Sequence, residues 1–84
     1  MTKTELLAVV EAFLAEKNIS LDKFYNIMIG RFDFTLQGRF DEQITKSLYG
    51  LVKFTVIDNG YLWGELKIPA KDTGDNLNVR IILT

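Results

Sequence analysis

A carboxylic acid facing a carboxylate across a cleft is enough to break a glycosidic bond, and Asp33, Asp41, Glu42 and Glu65 are the side chains of this 84-residue chain that could form such a pair. Their spacing selects no pair. Asp41 stands where it would cap a helix, Glu42 follows at the positive end of that helix, and Glu65 falls opposite Lys53 in a hairpin. A perturbed carboxylate also needs a cleft that so short a chain can hardly build. The chain has no histidine and no cysteine, which excludes nucleophile triads, zinc-dependent hydrolysis and zinc fingers. Neither Ser20 nor Ser47 lies in a Gly-x-Ser-x-Gly elbow, and no glycine pattern matches a Walker loop or a dinucleotide fingerprint. Asp72-Thr73-Gly74-Asp75-Asn76 gathers oxygen ligands as a calcium loop does. It lacks the alternate-position acids and the terminal Glu of an EF-hand, and the same residue types make ordinary solvated turns. The expectation is a non-enzymatic chain with no catalytic residue, metal or cofactor.

The remaining candidates for function are aromatic. Ile57, Tyr61 and Trp63, rimmed by Lys53, Glu65 and Lys67, have the composition of a protein–protein hot spot, because Trp and Tyr supply large contact area at low entropic cost. If a helix or the loop from Pro69 to Asn76 folds over Trp63, the same residues become a second small core instead. In an alternative use, Tyr61 and Trp63 stack bases of single-stranded nucleic acid, with Lys53, Lys67 and Arg80 around them. Ten basic against eleven acidic residues, a net charge of −1 and no basic run oppose that alternative. A third possibility is a homo-oligomer, in which an edge strand or the aromatic face pairs with its own copy.

The elements that must position these residues follow from periodicity. Thr2 with Glu5 has the form of a capping box, and Leu6, Leu7, Val10, Phe13 and Leu14 recur at helical spacing, which predicts a helix over residues 3 to 17. Asn18 would end it in the left-handed conformation, with Ile19 folding back. Tyr25, Ile27 and Ile29 alternate on odd positions, whereas Phe32, Phe34 and Leu36 alternate on even ones. A two-residue turn at Gly30-Arg31, with Gly30 at the first position of a type II′ turn, would put all six on one face. Asp41 caps a second helix with the stripe Phe40, Ile44 and Leu48, and Gly50 stops it. A three-residue Asp58-Asn59-Gly60 loop, with Gly60 left-handed, collects Val52, Phe54, Val56, Leu62, Gly64, Leu66 and Ile68 on one face. Lys53, Thr55, Ile57, Tyr61, Trp63, Glu65 and Lys67 then lie on the other. Leu77, Val79, Ile81 and Leu83 form a last strand, alternating with Asn78, Arg80, Ile82 and Thr84.

The expected class is α+β, one small domain over residues 1–84 in the order αββαβββ, with a mostly antiparallel sheet and its helices packed on one face. Packing alone must hold it, since no disulfide is available. With neither a signal peptide nor a stretch long enough to span a membrane, the expected location is the cytoplasm.

Phe34-Thr35-Leu36-Gln37-Gly38 ahead of a short polar helix, Asp58-Asn59-Gly60-Tyr61 at a hairpin, and the closing Asn78-Val79-Arg80-Ile81-Ile82-Leu83-Thr84 resemble small uncharacterised α+β proteins encoded by phages and prophages. The pattern covers roughly residues 24 to 84. The resemblance implies an accessory protein that acts by binding, for instance one that masks or inhibits a host enzyme or defence complex.

Overall fold

The computed structural model describes residues 2–57, 60–69 and 74–84, and of Ile57 the backbone alone. Thr2 starts the first helix, α1 (Lys3–Glu16): its Oγ1 accepts from the Glu5 N–H and donates to Glu5 Oε1, both at 3.2 Å. The helix buries Leu6, Val10 and Leu14, while Leu7, Val9 and Phe13 flank them partly buried. It ends as its sequence requires. Asn18 has φ of +60°, and the Ile19 N–H bonds the Leu14 carbonyl at 2.9 Å, beside the Lys17 N–H at 3.0 Å on the same acceptor, which tucks Ile19 into the core. A 3₁₀ turn (Leu21–Lys23) leads into the sheet.

Five strands follow: β1 (Phe24–Met28), β2 (Phe34–Gly38), β3 (Thr55–Ile57), β4 (Tyr61–Pro69) and β5 (Asn76–Leu83), with helix α2 (Glu42–Leu48) between β2 and β3. The spatial order is β1-β2-β5-β4-β3, so the last strand inserts at the centre, antiparallel to β4 and parallel to β2. Leu77, Val79, Ile81 and Leu83 of β5 are all buried, as a central strand demands, and with Phe34, Leu36, Leu66 and Ile68 they floor a core roofed by both helices. Each such buried side chain contributes roughly 1.5 to 3 kcal/mol relative to exposure. Asp41 caps α2 by accepting from the N–H groups of Gln43 and Ile44 at 2.8 and 3.2 Å, which lets Ile44 and Leu48 face inward.

The hairpin between β3 and β4 has the expected register, Thr55↔Trp63, Val56↔Leu62 and Ile57↔Tyr61, and Gly60 has φ of +79°. Asp58 and Asn59 lie outside the described residues, as do Asp72 and Thr73 of the calcium-like segment.

Three local expectations fail. The first hairpin is not closed by Gly30-Arg31: Ile27 pairs with Leu36, two residues further along than expected, and Gly30 is not left-handed. The loop lengthens because its residues bind β5. Phe32 lies against Arg80, and Asp33 Oδ2 accepts from the Asn78 N–H at 3.4 Å. A bulge at Tyr25 then exchanges the expected inward residue, so that Phe24 enters the core opposite Gly38 while Tyr25 and Ile29 stay exposed. The Tyr25 hydroxyl, which would need a buried partner, instead bonds Thr84 Oγ1 at 3.0 Å.

Phe40 is the second correction. It precedes the cap, its N–H bonded to the Thr84 carbonyl, and its ring is exposed rather than part of the α2 stripe. The third concerns β3, which begins only at Thr55. Residues 52 to 54 leave the sheet and cross the core side of β4 at Gly64, where a Cβ would meet Val52 Cγ1 at 2.1 Å. Val52 is thereby buried and Phe54 half-buried, but Lys53 drops out of the ladder and Val56 is left exposed.

Candidate protein-binding face

Both helices roof one side of the sheet, and alternation sends every second strand residue to the other. Register aligns that second face in rows. Met28, Thr35, Arg80 and Glu65 run across β1, β2, β5 and β4, and beside them run Asn26, Gln37, Ile82, Trp63 and Thr55. Asn26 Nδ2 donates to Gln37 Oε1 at 3.1 Å, tying the β1 end of its row.

The centre is organised by Arg80. Its guanidinium carbon lies 3.9 Å from the Phe32 ring centroid and 5.2 Å from that of Trp63. Such cation–π contacts are worth about 0.5 to 2 kcal/mol and hold the planar group in one orientation. Arg80 Nε is buried with no hydrogen-bond partner, so the stacking is achieved against a desolvation cost of about 1 to 3 kcal/mol. Thr35 is buried beneath this layer, while Trp63 and Ile82 remain partly exposed.

Of the residues expected to form a binding patch, Tyr61, Trp63, Glu65 and Lys67 share this face. Tyr61, Glu65 and Lys67 are exposed. Ile57 pairs with Tyr61 in the ladder, its side chain outside the described residues. Lys53 is exposed but precedes β3, so the cross-strand pairing with Glu65 does not form. Arg80, expected beside Trp63 only as a nucleic-acid contact, sits at the centre of the patch, which also contains Ile82 from the next strand and Phe32 from the loop before β2. One signal pointed to Ile82: it is an apolar residue at an outward position of an alternating strand, beside Arg80, whereas Phe32 was expected on the core face.

The acidic candidates do not converge. Asp41 and Glu42 start α2, Asp33 bonds a backbone N–H of β5, and Glu65 lies on β4; among the described residues no three acidic side chains are placed to share a metal ion. Among the described residues no helix is long and apolar enough to cross a membrane. Comparison with known proteins finds no matching family model, no similar curated protein and no similar solved structure.

Proposed function

We propose that this chain is a non-enzymatic protein-binding module that acts by stoichiometric occlusion, covering part of another protein with its helix-free sheet face. The observation that supports this most is the arrangement of Trp63, Phe32 and Arg80: two aromatic rings and a guanidinium held against each other on an open surface, with Tyr61 and Ile82 adjoining. Trp, Tyr and Arg are the residues that dominate interface energetics, and pre-ordering them removes part of the entropic cost of binding. An accessory protein of the phage type, acting in the cytoplasm to mask or inhibit a host enzyme or defence complex, would use a surface of this kind.

Single-stranded nucleic acid is the competing ligand, because Arg80 and Lys67 share the face with Trp63. Titrating the intrinsic fluorescence of Trp63 with single-stranded oligonucleotides separates the two. A flat response is expected; quenching that salt reverses would favour the nucleic acid. Affinity capture with the wild-type chain and with Trp63→Ala, followed by mass spectrometry, then tests the protein-binding proposal. A partner held by the first and lost by the second is the expected result, and equal capture by both would contradict it.

A further inference from the structure

We infer that the chain forms a two-fold dimer by antiparallel pairing of the free edge of β4 with the same edge of a second copy, in a register centred on Leu66. Strand β4 runs from Tyr61 to Pro69, but β3 covers its outer edge only at Tyr61, Leu62 and Trp63. Beyond Trp63 the preceding chain has moved onto the core side at Gly64, so among the described residues no strand pairs with this edge from Gly64 to Pro69. A cleft of about 570 Å³ runs along it, lined by Glu65, Leu66 and Lys67 and by the half-buried Phe13 and Leu51. The opposite edge of the sheet, β1, is interrupted by its bulge and offers no comparable run.

Charges on an edge strand ordinarily oppose self-pairing. Here their order reverses the effect in one register. With the axis through Leu66, Glu65 lies opposite Lys67 of the second copy and Lys67 opposite its Glu65, which makes two cross-strand ion pairs beside an apolar Leu66 pair. Moving the axis to Glu65 sets two glutamates face to face, and moving it to Lys67 sets two lysines face to face. Both shifts are destabilising. The occupant is therefore a second copy in one alignment, and Phe13 and Leu51 gain cover on the helix side.

An axis perpendicular to the sheet keeps the helix-free faces of both copies on one side. The two Trp63 side chains, each three positions from the axis, then lie about 20 Å apart along the strands at about 3.3 Å per residue. The dimer stands on the edge alone and does not depend on the aromatic face binding anything.

Sedimentation equilibrium on the full chain tests it. The wild type is expected to dimerise, whereas Glu65→Lys and Lys67→Glu, each placing like charges opposite, are expected to sediment as monomers at concentrations where the wild type is dimeric. An equimolar mixture of the two variants should recover a heterodimer, and the double exchange E65K/K67E should dimerise by itself. Circular dichroism of each variant checks folding at these exposed positions. A wild type that stays monomeric at every accessible concentration overturns the inference. So does a dimer that neither single substitution weakens, or a mixture that remains monomeric.

Discussion

Replacing Gly64 by alanine adds one methyl group at the point where residues 52 to 54 cross the sheet. The added Cβ would sit 2.1 Å from Val52 Cγ1, 3.2 Å from the Lys53 carbonyl oxygen and 3.3 Å from Phe54 Cδ1. Carbon atoms in a packed interior sit about 3.5 to 4.0 Å apart, so the Val52 methyl must retreat by roughly 1.5 Å. Val52 is 2% exposed, which leaves it no space to retreat into, and the Lys53 carbonyl blocks a simple tilt of the backbone. Overpacking of this kind costs about 1 to 3 kcal/mol, and contact with both a buried methyl and a backbone carbonyl places Gly64→Ala near the upper end. For a domain of this size that corresponds to a fall in Tm of at least about 12 °C. Gly50→Ala is the control, since no atom lies within 4 Å of its added Cβ and its stability should stay within about 0.5 kcal/mol of wild type. Val52→Ala alone should cost about 2 kcal/mol, yet in the double variant it removes the clashing methyl. The two changes together should then cost about 2 kcal/mol less than their sum. Urea denaturation of the four proteins measures this cycle. A Gly64→Ala midpoint equal to that of Gly50→Ala, or strict additivity with Val52→Ala, would refute the crossing of residues 52 to 54 over Gly64.

Two further stability measurements probe the loops and the open face. Gly60→Val should lower the unfolding free energy, read from the urea midpoint, by about 1 to 2 kcal/mol because its φ of +79° disfavours a β-branched side chain, whereas Gly30→Ala should be nearly neutral; equal midpoints would contradict the turn geometry. Trp63→Ala should cost about 1 to 2 kcal/mol, less than the roughly 3 to 5 kcal/mol of a fully enclosed tryptophan, since one side of the indole faces solvent. A loss at the upper figure in thermal or urea unfolding would mean that the face is closed over.

Features set within a few residues of one another were legible in the sequence. The Thr2–Glu5 cap, the Asn18–Ile19 helix end and the register around Gly60 each follow from local backbone chemistry, and alternation marked every buried position of β5. What local pattern misses is contact between distant segments. Tyr25 is turned outward by a hydroxyl partner 59 residues away, and the tight turn at Gly30 is forfeited because Phe32 gains the Arg80 guanidinium. Insertion of β5 between β2 and β4, which brings Phe32 and Thr35 to Arg80, is likewise a non-local choice. Tyr61, Trp63, Glu65 and Lys67 could therefore be read along one strand and Arg80 placed near them, whereas the contribution of Phe32 depended on the pairing of β2 with β5.

Site-specific photocrosslinking tests most directly whether the helix-free face meets a protein. A benzophenone amino acid placed at Tyr61, which is 40% exposed on that face, is compared with the same group at Ala12, exposed on α1. In irradiated cells that express the chain naturally, Tyr61 is expected to yield a discrete covalent adduct with a different protein, and Ala12 to yield none. An adduct with nucleic acid, or a protein adduct formed from Ala12 and absent from Tyr61, would contradict the assignment of this face to protein binding.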